Sequence, residues 1–161
     1  VSVPGALVIG IGASSGVTAA AVTEALSGLD ECFPGGSVVV RAVATIDRAA
    51  ESGPLRAGLR RHSRHWSLAA EGELPLLCYS AEALAGTIVP NPSDSVGERV
   101  GTPSVAEAAC LRAAAEIGDG TARMVLSKFV IAGVTLAAAN PAGSPTALRP
   151  VVPGRVLRWL R

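Results

Sequence analysis

Hydrophobic positions along the chain come in two rhythms. Continuous apolar runs at 6–11, 38–45 and 74–79 have the length and the Val, Ile and Leu content of strands buried on both faces. Between the first two, Val22, Ala25, Leu26 and Leu29 recur at helical spacing and predict a helix over about 17–29, fading at Gly28 and Asp30. Strand, helix and strand make a βαβ unit, whose right-handed crossover sets the two strands parallel with their ends on one edge of a sheet. A turn at Pro34-Gly-Gly36 precedes the second strand.

Leu55, Leu59 and Trp66 predict a partly amphipathic helix from Pro54 to about Ala70, with Arg56, Arg60, Arg61 and Arg64 along its wetter side. Pro75 places the third strand at an edge or at its own first residues, and Ser80 caps a short helix through Leu84. From Gly86 to Thr102 periodicity is lost, which reads as a long loop. Ser104 and Glu107 then have the S-x-x-E spacing of a capping box and predict an Ala-rich helix running to Ile117 with Gly118 as its stop. Apolar segments at 122–128 and 130–139, with Gly133 as the reversal, suit an antiparallel pair at one side of the sheet. The expected fold is a three-layer α/β/α domain over 1–140, with a mostly parallel, mixed sheet of about five strands. Residues 141–161, rich in Pro and Gly, read as a linker-like tail that packs on the body, stays disordered or docks on a partner.

Composition agrees with small aliphatic layers: 49% of the 161 residues are hydrophobic and only 3% aromatic. A formal charge of +1 supplies no global field for nucleic acid, so any preference for anions must be local. Cys32, Cys78 and Cys110 lack metal-ligand or disulfide-framework spacing, which points to a reducing compartment, and no apolar run is long enough to span a bilayer. A cytoplasmic protein is the expectation. No metal-ligand array stands out; His62 and His65 lie three apart without a companion carboxylate or Cys cluster, so they read as surface residues of a basic helix.

Candidate chemistry gathers where the first strand ends. The stretch Leu7-Val-Ile-Gly-Ile-Gly-Ala-Ser-Ser-Gly-Val-Thr18 leaves Gly10, Gly12 and Gly16 without side chains, so another group can approach the backbone. Ser14, Ser15 and Thr18 add hydroxyls at a helix start, where backbone N–H groups and the helix dipole favour anions. The spacing is G-x-G-x-x-x-G, not that of a dinucleotide-binding turn. Gly12-Ala-Ser-Ser-Gly16 is similar to the opening of a short-chain dehydrogenase, but Thr18 stands where that pattern has a Gly, and Tyr79 is followed by Ala83 where it has a Lys. Asp47 closes the second strand near the glycine turn, either as a helix cap or as part of a site. Lys128, in an apolar context, either snorkels at an edge or reaches an acidic ligand.

Four places together resemble one family, the cobalamin (vitamin B12) biosynthesis protein CobE and the C-terminal domain of its relative CbiG. They are Val8-Ile-Gly-Ile-Gly12 with Gly16-Val-Thr18, the strand end Ala44-Thr-Ile-Asp47 followed by Leu55, the motif from Gly101 through Ser104-Val-Ala-Glu107-Ala-Ala109, and Lys128 followed by Val134-Thr-Leu-Ala137. The family's Lys shortly after the Asp is absent; Ala49 and Ala50 stand there, with Arg48 the nearest cation. The resemblance implies a protein that binds or handles a polycarboxylate corrin or precorrin intermediate, with no cofactor besides that ligand and possible partners among other cobalamin-pathway enzymes. Gly10, Gly12, Ser14, Ser15, Gly16, Thr18, Asp47, Gly101, Ser104, Glu107 and Lys128 are the expected contacts. The alternatives are hydrolysis of a cobalt-precorrin lactone, as associated with CbiG, with Glu107 or Asp47 as general base, and a non-catalytic protein-interaction module.

Overall fold

The computed structural model describes residues 6–33, 39–68, 74–87, 104–118, 120, 122–141 and 155–157. Its central strand is the first apolar run, β1 (Leu7–Ala13), where Leu7 through Ile11 are buried. β1 runs parallel to β2 (Val39–Ile46) on one side and antiparallel to β6 (Val134–Pro141) on the other. The sheet continues to β5 (Ala122–Ile131) beyond β6, and to β4 (Leu76–Tyr79) and β7 (Arg155–Leu157) beyond β2, while the two-residue β3 (Ser67–Leu68) also pairs with β2. Among the described residues five strands carry the sheet and two short ones extend it. The expected bias to parallel pairing holds only around β2, which runs parallel to β1, β3 and β4; the pairings β1–β6, β5–β6 and β4–β7 are antiparallel.

Helices cover both faces. α1 (Ala19–Glu31) buries Val22, Ala25, Leu26 and Leu29, the stripe read from the sequence. It packs against α3 (Gly53–Ser63), where the bare Gly58 leaves room for Val22. A turn of helix, α2 (Asp47–Ala50), follows β2, and α4 (Ala81–Ala85) follows β4. The Ala-rich α5 (Val105–Ile117) forms the other layer, lying on β1, β2 and β6. Among the described residues three helices begin with a side-chain cap: Thr18 Oγ1 accepts from Ala21 N at 3.1 Å, Ser52 Oγ from Leu55 N at 3.2 Å and Ser80 Oγ from Ala83 N at 3.1 Å.

Several boundaries move for tertiary reasons. α1 runs past Gly28 to Glu31, because Gly28 is a packing position: Ile131 of β5 occupies the space its Cβ would take. α3 stops at Ser63 and not near residue 70. Asp30 at the end of α1 fastens both His62 Nε2 (2.7 Å) and Trp66 Nε1 (2.8 Å), and the chain turns between them. His62 is therefore a buried, hydrogen-bonded residue and not a surface one; only His65 is exposed. Pro75 sits just ahead of β4, and its carbonyl accepts from Val43 N at 3.0 Å. The β5–β6 hairpin reverses at Ala132 and Gly133, both with positive φ (54° and 79°), as a two-residue turn between twisted strands requires.

The tail is not wholly a linker. Arg155–Leu157 pairs antiparallel with β4, with Val156 opposite Leu77, so part of it closes an edge that β4 would otherwise present. The Pro34-Gly-Gly36 turn, most of the 86–102 loop and Gly101 lie outside the described residues.

Candidate functional site

The C-terminal ends of the parallel strands β1, β2 and β4 share one edge of the sheet, as their registers require. That edge in an open α/β sheet is where ligands bind. Two helices start against β1 there. The first, α1, follows an exposed turn through Ser14, Ser15 and Gly16, in which Val17 N bonds the Ser14 carbonyl at 3.2 Å. Thr18 is also exposed, and its hydroxyl is engaged as the cap of α1.

The second, α5, rests directly on the glycines. A Cβ on Gly10 would collide with the Ala106 carbonyl and meet Cys110 Cβ at 3.0 Å, so the bare Cα is what lets this helix lie so close. Gly12 is looser, with Val105 Cβ 3.6 Å from the position of its absent Cβ, and nothing comes within 4 Å of that position at Gly16. Gly10 thus serves helix packing, whereas Gly12 to Gly16 form the more open part of the same stretch. Gly10 and Gly12 meet Ala106 and Val105, so the end of β1 and the start of α5 form one place.

The capping box predicted for α5 does not form as expected. Ser104 occupies the N-cap position with extended backbone, and its carbonyl accepts from Ala108 N at 3.0 Å, but its side chain makes no cap bond. Its Oγ is buried without a hydrogen-bond partner, the residue being 2% exposed. Glu107 Oε2 accepts instead from Lys128 N at 2.9 Å. That N–H is available because β5 slips register against β6 between Leu126 and Phe129, and a bulge there turns backbone groups out of the ladder. Glu107 is fully buried; burial first, and then the Glu107 carboxylate, pushes the Cys110 thiol up. Lys128 is half-buried on the same bulge.

Asp47 is the first residue of α2, at the tip of β2 and half-buried; no side-chain cap bond starts that helix, so the expected capping role is not filled. Burial first, and then the charge of Asp47, pushes the Cys78 thiol up to about 12, while Arg56 works the other way. Arg56, read from sequence as part of a wet face, is half-buried with an Nε that is sealed from solvent and has no hydrogen-bond partner. Arg48 is exposed.

One cluster escaped the sequence reading. Tyr79 OH donates to Glu116 Oε2 (3.1 Å), Arg112 Nε donates to Glu116 Oε1 (3.1 Å), and Arg112 also bonds the Ala83 carbonyl (3.2 Å), tying α4 to α5. Burial raises the affinity of Glu116 for a proton, against the bonds from Tyr79 and Arg112 that favour its charged form. Arg112 and Glu116 line an open cleft of about 770 Å³ with Thr87, Leu111, Gly118 and Gly120. The i, i+4 spacing of Arg112 and Glu116 was its visible trace; Tyr79 could not be assigned to it without the fold. Among the described residues no group of three His, Cys, Asp or Glu is placed to hold a metal, and no helix is long and apolar enough to cross a membrane.

This arrangement of strands and helices has known counterparts. The model of the family described as "Cobalamin synthesis G C-terminus" matches residues 7–139. The chain belongs to that family. CobE, a protein from the cobalamin (vitamin B12) biosynthetic pathway, has a similar fold at TM-score 0.60 and 24% identity, over 86% of this chain and 96% of that one. A cobalamin biosynthesis protein G homolog from Sulfolobus solfataricus superposes with TM-score 0.55 and 17% identity, over 86% of this chain and 38% of its own length. Cobalamin biosynthesis protein chiG from Agrobacterium tumefaciens str. C58 is 28% identical over 85% of this chain and 99% of that one, with TM-score 0.49. No curated protein matches the sequence. Membership places the protein in cobalamin biosynthesis, and the family match runs from β1 through β6, across both helix starts on β1.

Proposed function

We propose that the protein binds a polycarboxylate corrin or precorrin intermediate of cobalamin synthesis at the strand-tip edge where β1 meets α5. The observation that carries this reading is the contact of Gly10 and Gly12 with Ala106 and Val105, which sets a helix N-terminus against the end of β1, just ahead of the exposed turn at Ser14 to Gly16. Corrin intermediates carry acetate and propionate arms, and backbone N–H groups at a helix start suit carboxylates. The exposed hydroxyls of Ser14 and Ser15 and the half-buried Lys128 lie on elements that reach the same neighbourhood.

Binding is favoured over lactone hydrolysis with Glu107 as base, because a carboxylate with no exposed surface that already accepts a backbone N–H is poorly placed to take a proton from water. Free cysteines, among them the exposed Cys32, suit work in a reducing compartment such as the cytoplasm. Titrating cobyrinic acid with the purified protein tests the reading. A saturable change in the corrin absorption spectrum is expected; an unchanged spectrum, with free and total corrin equal after ultrafiltration, rejects it.

A further inference from the structure

The cleft beside α4 and the second half of α5 is open, and the guanidinium on its wall has donors to spare. Arg112 is held from three sides: Nε donates to Glu116 Oε1, Nη1 donates to the Ala83 carbonyl, and the guanidinium carbon lies 5.9 Å from the centre of the Tyr79 ring. Nη2 makes no hydrogen bond or ion pair with the described residues. The Arg112 side chain is nevertheless 28% exposed, and that of Glu116 21%, on the wall of a space of about 770 Å³. A planar fork that is already fixed in place loses little further freedom when it binds a carboxylate. Carbonyls at the end of α5 are engaged elsewhere, those of Ala114 and Ala115 accepting from Gly118 N and Gly120 N at 3.0 Å each. Leu111, Ala115 and Ala122 supply apolar wall to the same cleft.

We infer that this cleft binds a small organic acid, its carboxylate on the unbonded donors of Arg112 and its apolar chain against Leu111, Ala115 and Ala122. The site shares no residue with the edge where β1 meets α5, and it stands or falls independently of the corrin reading. Glu116 is the responsive member. Two carboxylates on one guanidinium repel each other unless one of them carries a proton. Burial already raises the affinity of Glu116 for a proton, so Glu116 takes one up from solvent as the acid binds. Tyr79 from β4 and Arg112 from its own helix are the charged or titratable groups that act on it among the described residues. α4 brings the uncharged Ala83 carbonyl to the network, while Glu82 of α4 and Arg123 of β5 are exposed. Proton uptake on binding means that affinity rises as pH falls.

Backbone amide NMR of the isotope-labelled full chain, titrated with butyrate and separately with butylammonium as the probe of opposite charge, tests the assignment. Butyrate should shift the Thr87, Arg112, Glu116 and Gly118 amides saturably, and its dissociation constant should fall about fivefold or more between about pH 7.5 and about pH 5.5. Glu116→Gln stands in for the protonated carboxyl. At the higher pH it should bind butyrate at least as tightly as the parent does at the lower, and the pH dependence should vanish. Arg112→Lys keeps the charge and loses the fork, and should weaken butyrate about tenfold. The pH series is read on the parent chain, so it decides the question whatever Arg112→Lys does to folding. Butyrate that leaves these amides unmoved while butylammonium shifts them overturns the site. So does butyrate binding by the parent that is equal at the two pH values or tighter at the higher one, and so does equal binding by the parent and a folded Arg112→Lys.

Discussion

Two helices begin against the same end of β1, and they are held there in opposite ways. α1 is fixed locally: the Thr18 hydroxyl accepts from Ala21 N within its own first turn. α5 is fixed from a distance, by the fit of the Ala106 carbonyl over the bare Gly10 and by Glu107 bonded to the backbone of Lys128, 21 residues on. A local cap uses up the hydroxyl that makes it. Tertiary anchoring leaves the buried hydroxyl of Ser104 without a hydrogen bond. A helix start can therefore be stable without a side-chain cap, provided that the stability comes from elsewhere in the fold.

The contrast can be broken by removing each anchor in turn. Gly10→Ala should have the largest effect, about 3 kcal/mol lost in denaturant unfolding, since its Cβ meets backbone that cannot move without shifting α5. Gly16→Ala, facing open space, is the control and should stay within about 0.5 kcal/mol of the parent. Glu107→Ala comes next: it strips the acceptor from Lys128 N and leaves a cavity, at about 2 kcal/mol, and Glu107→Gln should recover more than half of that loss. Were Glu107→Gln as damaging as Glu107→Ala, the charge and not the acceptor would be the anchor. Thr18→Ala and Ser80→Ala should each cost about 1 kcal/mol as lost caps. Ser104→Ala should cost the least, within about 0.5 kcal/mol of the parent, because it removes a hydroxyl that bonds to nothing in the protein.

What could be read from residues alone follows the same division between local and distant causes. β1, β2 and the buried stripe of α1 were legible because periodicity and strand length are local, and so were the caps at Ser80 and the turn at Gly133. Gly10 was recognisable as a point of close approach, but the group that approaches it is 96 residues further along the chain, which no pattern around Gly10 encodes. The S-x-x-E spacing gave the right helix start with the wrong bonds, since only the bulge in β5 explains where the Glu107 carboxylate goes. Asp30 looked like a fading helix end and is a clamp on His62 and Trp66, residues more than 30 positions away. Tyr79, Arg112 and Glu116 come together through the packing of α5 beside β4 and α4. Strand β7 is three residues of a Pro- and Gly-rich tail, too short for any alternation to mark it.

An amide NMR map of the full chain titrated with cobyrinic acid tests the central claim most directly, because it reports both whether a corrin binds and where. Shifts confined to Gly12 through Gly16 and to the first turn of α5, and lost when the heptamethyl ester replaces the acid, are the predicted result. Shifts gathered around Arg112, Glu116 and Gly118, or none at all, would contradict it.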